Sequence, residues 1–208
     1  MSAPDKSIDP RLMKAAKEVF LEKGFEMAQL SEICEKAGVT TGALYKRFSG
    51  KEELFCELVE DTIEGMRNYV SRIAESDFST LTDQDIFDGF HMNPDVNIKW
   101  LKYLYDHKEG FTLLIKCASG TRYSSFHDNW TEKMNAIHYK FYLEAKRRGL
   151  AKNDISENQM NVFSTAVWAL FYKPFILDFT WEEMEKYAVL ITDFINWYKA
   201  LGISKQGE

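Results

Sequence analysis

The sequence predicts an all-α chain in two parts: an N-terminal three-helix helix-turn-helix domain over residues 1–52 and a helical bundle over residues 53–208. Three observations carry this. Apolar residues recur at intervals of three and four through most of the chain, the spacing that gathers them on one face of a helix. Only 4 prolines occur in 208 residues, and no long run of alternating threonine and valine marks a sheet. Three helices and the start of a fourth fit into roughly the first fifty residues, and only longer helical segments follow.

Asp9-Pro10 starts the first helix, an N-cap acid followed by proline at a position whose N–H has no intrahelical partner. Leu12, Met13, Ala16, Val19 and Phe20 share its inner face, and Gly24 is expected to close it. A second, short helix covers about 30–36, with Leu30, Ile33 and Cys34 inward, and stops at Ala37-Gly38. A third covers about 41–48 and ends at Ser49-Gly50. A fourth begins at Lys51 and carries Leu54, Phe55, Leu58 and Val59, then Ile63, Met66, Val70 and Ile73, so the two parts are expected to share a rigid connection. Residues 76–97 are less regular, and Asn93-Pro94 marks a break. Helices are then expected at about 98–118, 129–148, 157–175 and 181–201, with Gly149 closing the second of these and Pro174 late in the third.

The turn A-G-V-T between two short helices reads as a helix-turn-helix, with Gly38 at the sharp bend and Val39 filling the space between the helices. Thr40 and Thr41 open the following helix, where a hydroxyl caps the backbone or meets a phosphate. Gly42 and Ala43 are small enough for the helix start to press against a surface. Leu44 and Phe48, at i and i+4, face inward, while Tyr45 and Lys46 point away. Residues 36–51 contain Lys36, Lys46, Arg47 and Lys51 and no acid, although the chain carries a net charge of −6. A uniformly basic nucleic-acid binder is excluded by that charge. A local basic tip is not, because screening limits fields to about 10 Å.

The stretch GFEMAQLSEICEKAGVTTGALYKRFSGKEELFCELV resembles the N-terminal DNA-binding domain of the TetR/AcrR family of bacterial transcriptional regulators, over roughly residues 8–60. The resemblance implies that 41–48 is a recognition helix, that Thr40, Thr41, Ala43, Tyr45 and Lys46 meet double-stranded operator DNA, and that Lys51 meets a phosphate; Gly42 joins the expected DNA-binding set by its small size. It also implies a homodimer on a palindromic site and a C-terminal domain holding a small effector. Two positions depart from the family pattern: Ala28 stands where a threonine or serine is common, with Gln29 or Ser31 as substitutes, and Lys46 stands where histidine is common.

Beyond residue 76 the sequence is rich in aromatics, which serve both cores and cavities. As a set they point to a cavity between helices, with Trp100, Tyr103, His107, Phe111, Trp130, Met134, Phe163 and Trp168 as candidate ligand-binding residues and His107 as the polar anchor. Two apolar stripes, Phe163, Val167, Leu170, Phe171 and Pro174, then Tyr187, Leu190, Ile191, Phe194, Ile195 and Tyr198, are wide for helices at a chain end and predict a dimer interface.

No catalytic signature is present: no G-x-S-x-G, P-loop, G-x-G-x-x-G or H-E-x-x-H. No enzyme activity, metal or cofactor is therefore expected. Cys34, Cys56 and Cys117 are odd in number and widely spaced, which predicts reduced thiols and a cytoplasmic setting. The first fourteen residues lack an apolar signal region, and no run approaches the ~20 residues of a membrane span. Two other readings fit the same sequence: a DNA-associated protein with a protein partner on a solid bundle, and a helical enzyme or carrier with a coincidental turn motif.

Overall fold

The predicted periodicities fold into eleven α-helices and no strand among the described residues of the computed structural model, which are 7–91 and 93–204. Residues 1–6 of the stretch without a signal region lie outside them. The described chain forms two compact units. One runs to Gly65 and takes in His107–Phe126. The other comprises Met66–Asp106 and the chain from His127 onward.

In the first unit, α1 (Ile8–Met27), α2 (Leu30–Ala37), α3 (Thr41–Tyr45) and the start of α4 (Lys51–Ala74) enclose one core. Leu12, Val19 and Phe20 meet Ile33, Leu44, Leu54 and Phe55 there, all almost fully buried. The rings of Phe20, Phe25 and Phe55 pack within 5.3–5.8 Å of one another. Gly24 does not end α1 as its position predicts. It kinks the helix, at φ 75°, and the helix resumes to Met27. The third helix is shorter than predicted and ends at Tyr45, with Phe48 reaching the core from the turn beyond.

The single helix expected over 98–118 is three pieces: α6 (Pro94–Asp106), α7 (Lys108–Thr112) and a π turn (Leu113–Cys117). The break falls at His107, whose backbone leaves helical geometry (φ −106°, ψ 23°). From there the chain belongs to the first unit, and Leu113, Leu114 and Cys117 join its core. Gly110 allows this approach. A Cβ there would collide with the Thr62 hydroxyl and sit 3.2 Å from the Leu58 carbonyl. The first unit thus extends past residue 52, because Leu54, Phe55 and Val59 of α4 point into its core.

The second unit holds the rest of α4, then α5 (Asp83–Gly89), α6, α8 (Phe126–Arg147), α9 (Glu157–Ile176), α10 (Trp181–Phe194) and α11 (Trp197–Leu201). Three of these helices begin with reciprocal caps, Thr82 with Asp85, Ser156 with Gln159 and Thr180 with Glu183. The expected helix over 181–201 breaks at Ile195-Asn196, and the Asn196 side chain caps α11 by accepting from the Lys199 N–H.

Arg148 fastens the irregular segment before α5. Its guanidinium donates to the carbonyls of Leu81 (2.7 Å), Phe78 (3.2 Å) and Ser79 (3.1 Å), and to Glu144 (2.6 Å). With Arg147 it holds the Glu144 carboxyl down at about 2. Arg148→Met keeps the aliphatic stem and leaves these acceptors unmatched. The urea midpoint should fall clearly below that of the parent, and an unchanged midpoint would contradict the role.

Candidate nucleic-acid interface and ligand cavity

The turn between α2 and α3 is built as its residues require. Gly38 takes the left-handed conformation (φ 63°, ψ 40°), donating to Glu35 O, while Val39 N–H donates to Cys34 O. This pair of bonds closes α2. Thr40 is the N-cap of α3, its hydroxyl accepting from Ala43 N–H at 3.2 Å. Leu44 is fully buried, which turns the neighbouring positions outward: Thr41, Gly42, Tyr45 and Lys46 are exposed, Tyr45 by 56%, and Ala43 is half-buried.

The four cations of the turn region are not equivalent. Lys36 pairs with Glu18 at 2.8 Å, and Arg47 pairs with Asp9 and donates to Ala43 O. Lys51 Nζ donates to the carbonyls of Glu26 (3.2 Å) and Ala28 (2.9 Å) and lies 4.4 Å from the Phe25 ring centre. It closes the end of α1, where a cation complements the helix dipole. Lys46 has no ion pair among the described residues. Ala28 is buried, and Gln29 occupies the N-cap of α2 without a side-chain capping bond.

Within the second unit lies a cavity of about 460 Å³. Its aromatic wall includes Tyr69, Trp100, Trp130, Trp168, Phe171 and Trp197. Tyr69 stacks on Trp100 at 4.5 Å, Trp100 lies parallel to Trp130 at 6.0 Å, and Trp130 meets Trp168 at 5.3 Å. Trp168 Nε1 donates to His127 Nδ1 at 3.1 Å. Of the eight candidate ligand residues, Trp100, Trp130, Met134 and Trp168 line the space. The other four are not among its lining residues. Tyr103 stacks behind Trp100 at 5.5 Å, and Phe163 packs edge-on against Trp197. His107 and Phe111 belong to the first unit, Phe111 fully buried there, because α6 ends before them.

Most of the other lining residues were not singled out as ligand-binding from sequence, His138 and Ser164 among them. His138 and Ser164 line the wall from α8 and α9, with His138 Nδ1 2.9 Å from Ser164 Oγ. The signal was present: Trp130, Met134 and His138 follow one another at i+4 on α8. The apolar stripes also divide differently from expectation. Val167 and Phe171 turn to the cavity and Pro174 is buried, so the exposed large apolar residues of this end are Val162, Leu177 and Val189 with Leu190 (62%) and Phe194 (78%). Among the described residues no helix is long and apolar enough to cross a membrane.

Residues 12–58 match the model of the bacterial regulatory proteins of the tetR family. The chain is 47% identical over 51 residues to the HTH-type transcriptional regulator YdgC of Bacillus subtilis, covering 24% of this chain and 26% of the relative. It is 39% identical over 57 residues to YfiR of the same organism, covering 27% and 28%. These matches span little more than a quarter of either relative. The fold as a whole is like that of the TetR family transcriptional regulator PfmR from Thermus thermophilus, with a TM-score of 0.60 over 100% of both chains at 17% identity. Residues 12–58, with their turn and buried Leu44, are thus similar to the bacterial regulatory proteins of the tetR family, and over the rest of the chain the likeness is one of fold.

Proposed function

We propose that the protein is a ligand-responsive transcriptional repressor that binds a palindromic operator as a homodimer and leaves it when a small apolar or aromatic molecule occupies the cavity. The observation that carries the DNA reading is Gly42. Glycine inside a helix costs about 0.5–1 kcal/mol relative to alanine. Nothing in the described chain requires it, since a Cβ there would find only Thr40 Oγ1, at 4.0 Å. An exposed glycine beside Thr41, Tyr45 and Lys46 is accounted for by a surface outside the protein. In this reading Thr40, Thr41, Gly42, Ala43, Tyr45 and Lys46 approach the major groove. Lys51 keeps one of its three ammonium protons for a backbone phosphate.

Chain connectivity supports coupling. The helices α6 and α8, which carry Trp100 and Trp130, run directly into and out of the 107–126 segment of the first unit. Through α4 the same continuity reaches Tyr69. Ligand binding between these walls shifts helices that continue into the DNA-reading unit, a coupling free energy between two sites. The open cavity favours a small-molecule effector over a protein partner on a filled bundle. The exposure of the apolar Val162, Leu177, Leu190 and Phe194 supports a second copy as their cover.

The test is Gly42→Ala. Thermal unfolding should shift upward, by about 0.5–1 kcal/mol, while affinity for an operator duplex found by footprinting beside the protein's own coding region falls. A variant that is stabilised and binds that duplex as well as the parent would remove the argument.

A further inference from the structure

The lining of the cavity carries almost no formal charge. Among its lining residues there is no lysine or arginine, and the single formally charged one is Asp88, which is exposed and accepts from Gln84 Nε2 at 2.7 Å. A carboxylate or phosphate ligand would find no countercharge there and would meet a like charge at Asp88. Burying an unpaired anion is costly.

The polar groups of the wall include His91, Asn93, Asn97 and the His138–Ser164 pair, and the last of these is set among the indoles. Ser164 is almost fully buried, and its hydroxyl has His138 Nδ1 as its partner at 2.9 Å. Where the Ser164 hydroxyl donates to that nitrogen, the ring takes the other tautomer. The ring proton then sits on Nε2, and no acceptor for it is found among the described residues. Burial holds the imidazole pKa down at about 4, so near neutral pH the ring is uncharged and Nε2–H is a neutral donor. The surroundings are aromatic: Trp130 and Met134 precede His138 on the same face of α8, and Trp197 lies 6.1 Å from its ring.

We infer that the cavity takes an uncharged planar aromatic molecule bearing a carbonyl oxygen, with its rings against the indoles and its oxygen accepting from His138 Nε2–H. This rests on the reading of the cavity as the effector site and adds the charge class, the functional group and the anchor. Acyl carboxylates are excluded from the class. The volume of about 460 Å³ is enough for a tricyclic or tetracyclic ring system.

Three probes of nearly equal shape test it on the full-length protein without DNA, read by quenching of tryptophan fluorescence: 9-fluorenone, fluorene, which lacks the carbonyl, and fluorenone-4-carboxylate. The ketone should bind about 3- to 10-fold more tightly than the hydrocarbon, the contribution of one neutral hydrogen bond, and the carboxylate should be the weakest. His138→Phe should erase the ketone's advantage and leave fluorene binding in place. The parent series decides the matter even if that variant does not fold. Equal binding of ketone and hydrocarbon, or tighter binding of the carboxylate or of palmitate, overturns the inference and leaves the cavity as a ligand site. Absence of binding by every probe overturns both.

Discussion

Tyr45→Ala should lower affinity for the proposed operator by about 1–3 kcal/mol, roughly 5- to 150-fold, while the unfolding midpoint should stay close to that of the parent. Both halves of this expectation come from one geometric fact. Leu44 is fully buried and Tyr45 is 56% exposed, so the phenol contributes little to the core of its own unit and is presented beside Gly42 and Lys46. The neighbouring cations sharpen the test. Lys46→Ala should weaken binding and reduce the salt dependence by about one phosphate contact. Lys36→Ala should change affinity by no more than about twofold, because that ammonium is already paired with Glu18. Lys51→Ala should lower stability as well as binding, since its amine closes α1 through Glu26 and Ala28. Fluorescence anisotropy at several salt concentrations separates the four. A Tyr45→Ala protein that binds like the parent would place the DNA contact elsewhere.

That ranking could not be reached from sequence, and the reason is physical. The sequence places four cations and no acid between residues 36 and 51, which reads as one basic tip. Their partners come from elsewhere in the chain: Glu18 and Asp9 from α1, and the carbonyls of Glu26 and Ala28. The local pattern of charge was legible, and the long-range pairing that neutralises half of it and engages Lys51 was not. The turn itself was legible throughout, because A-G-V-T carries its own geometry in Gly38 and its own cap in Thr40.

The cavity shows the same division. Helical spacing correctly aligns Trp130 with Met134, and Trp100 and Trp168 are drawn to the same space by their size and amphipathic rings. The spacing fails at α6. Continuing its face past Trp100 and Tyr103 leads to His107 and Phe111, but the helix stops at Asp106 and the chain enters the first unit. What stops it is a tertiary demand, the close seating of Gly110 beside Leu58 and Thr62, and no proline or cap in the sequence announces it. The breaks at Asn196 and before α5, α9 and α10 are different in kind. Asn196 with Lys199, Thr82 with Asp85, Ser156 with Gln159 and Thr180 with Glu183 are local capping pairs, written in the sequence at three-residue spacing.

Acid should destabilise the second unit in two separable steps, and His138 accounts for the first. In the unfolded chain its imidazole takes up a proton as pH falls through about 6.5, whereas in the folded chain burial against the cavity wall delays protonation to about 4. Over that interval the unfolded state binds more protons than the folded state, so stability is complete above pH 6.5 and declines as pH drops towards 4. The slope for one such group is about 1.4 kcal/mol per pH unit, for a total of up to about 3 kcal/mol. The second step belongs to Glu144, whose carboxyl is held at about 2 by Arg147 and Arg148, so its contribution is lost only as pH falls from 4.5 towards 2. Urea unfolding at intervals from pH 7.5 to 4 should therefore show a falling stability in the parent and a distinctly flatter profile in His138→Phe. The difference in slope is the measured quantity, whatever the variant's absolute stability. A ligand that accepts from Nε2–H binds the neutral ring, which the folded chain keeps down to about pH 4, so its protection against urea should hold through that window and weaken only as pH nears 4. Parallel profiles for the two proteins would show that the imidazole is not held neutral, and the donor assigned to the cavity wall would be lost with it.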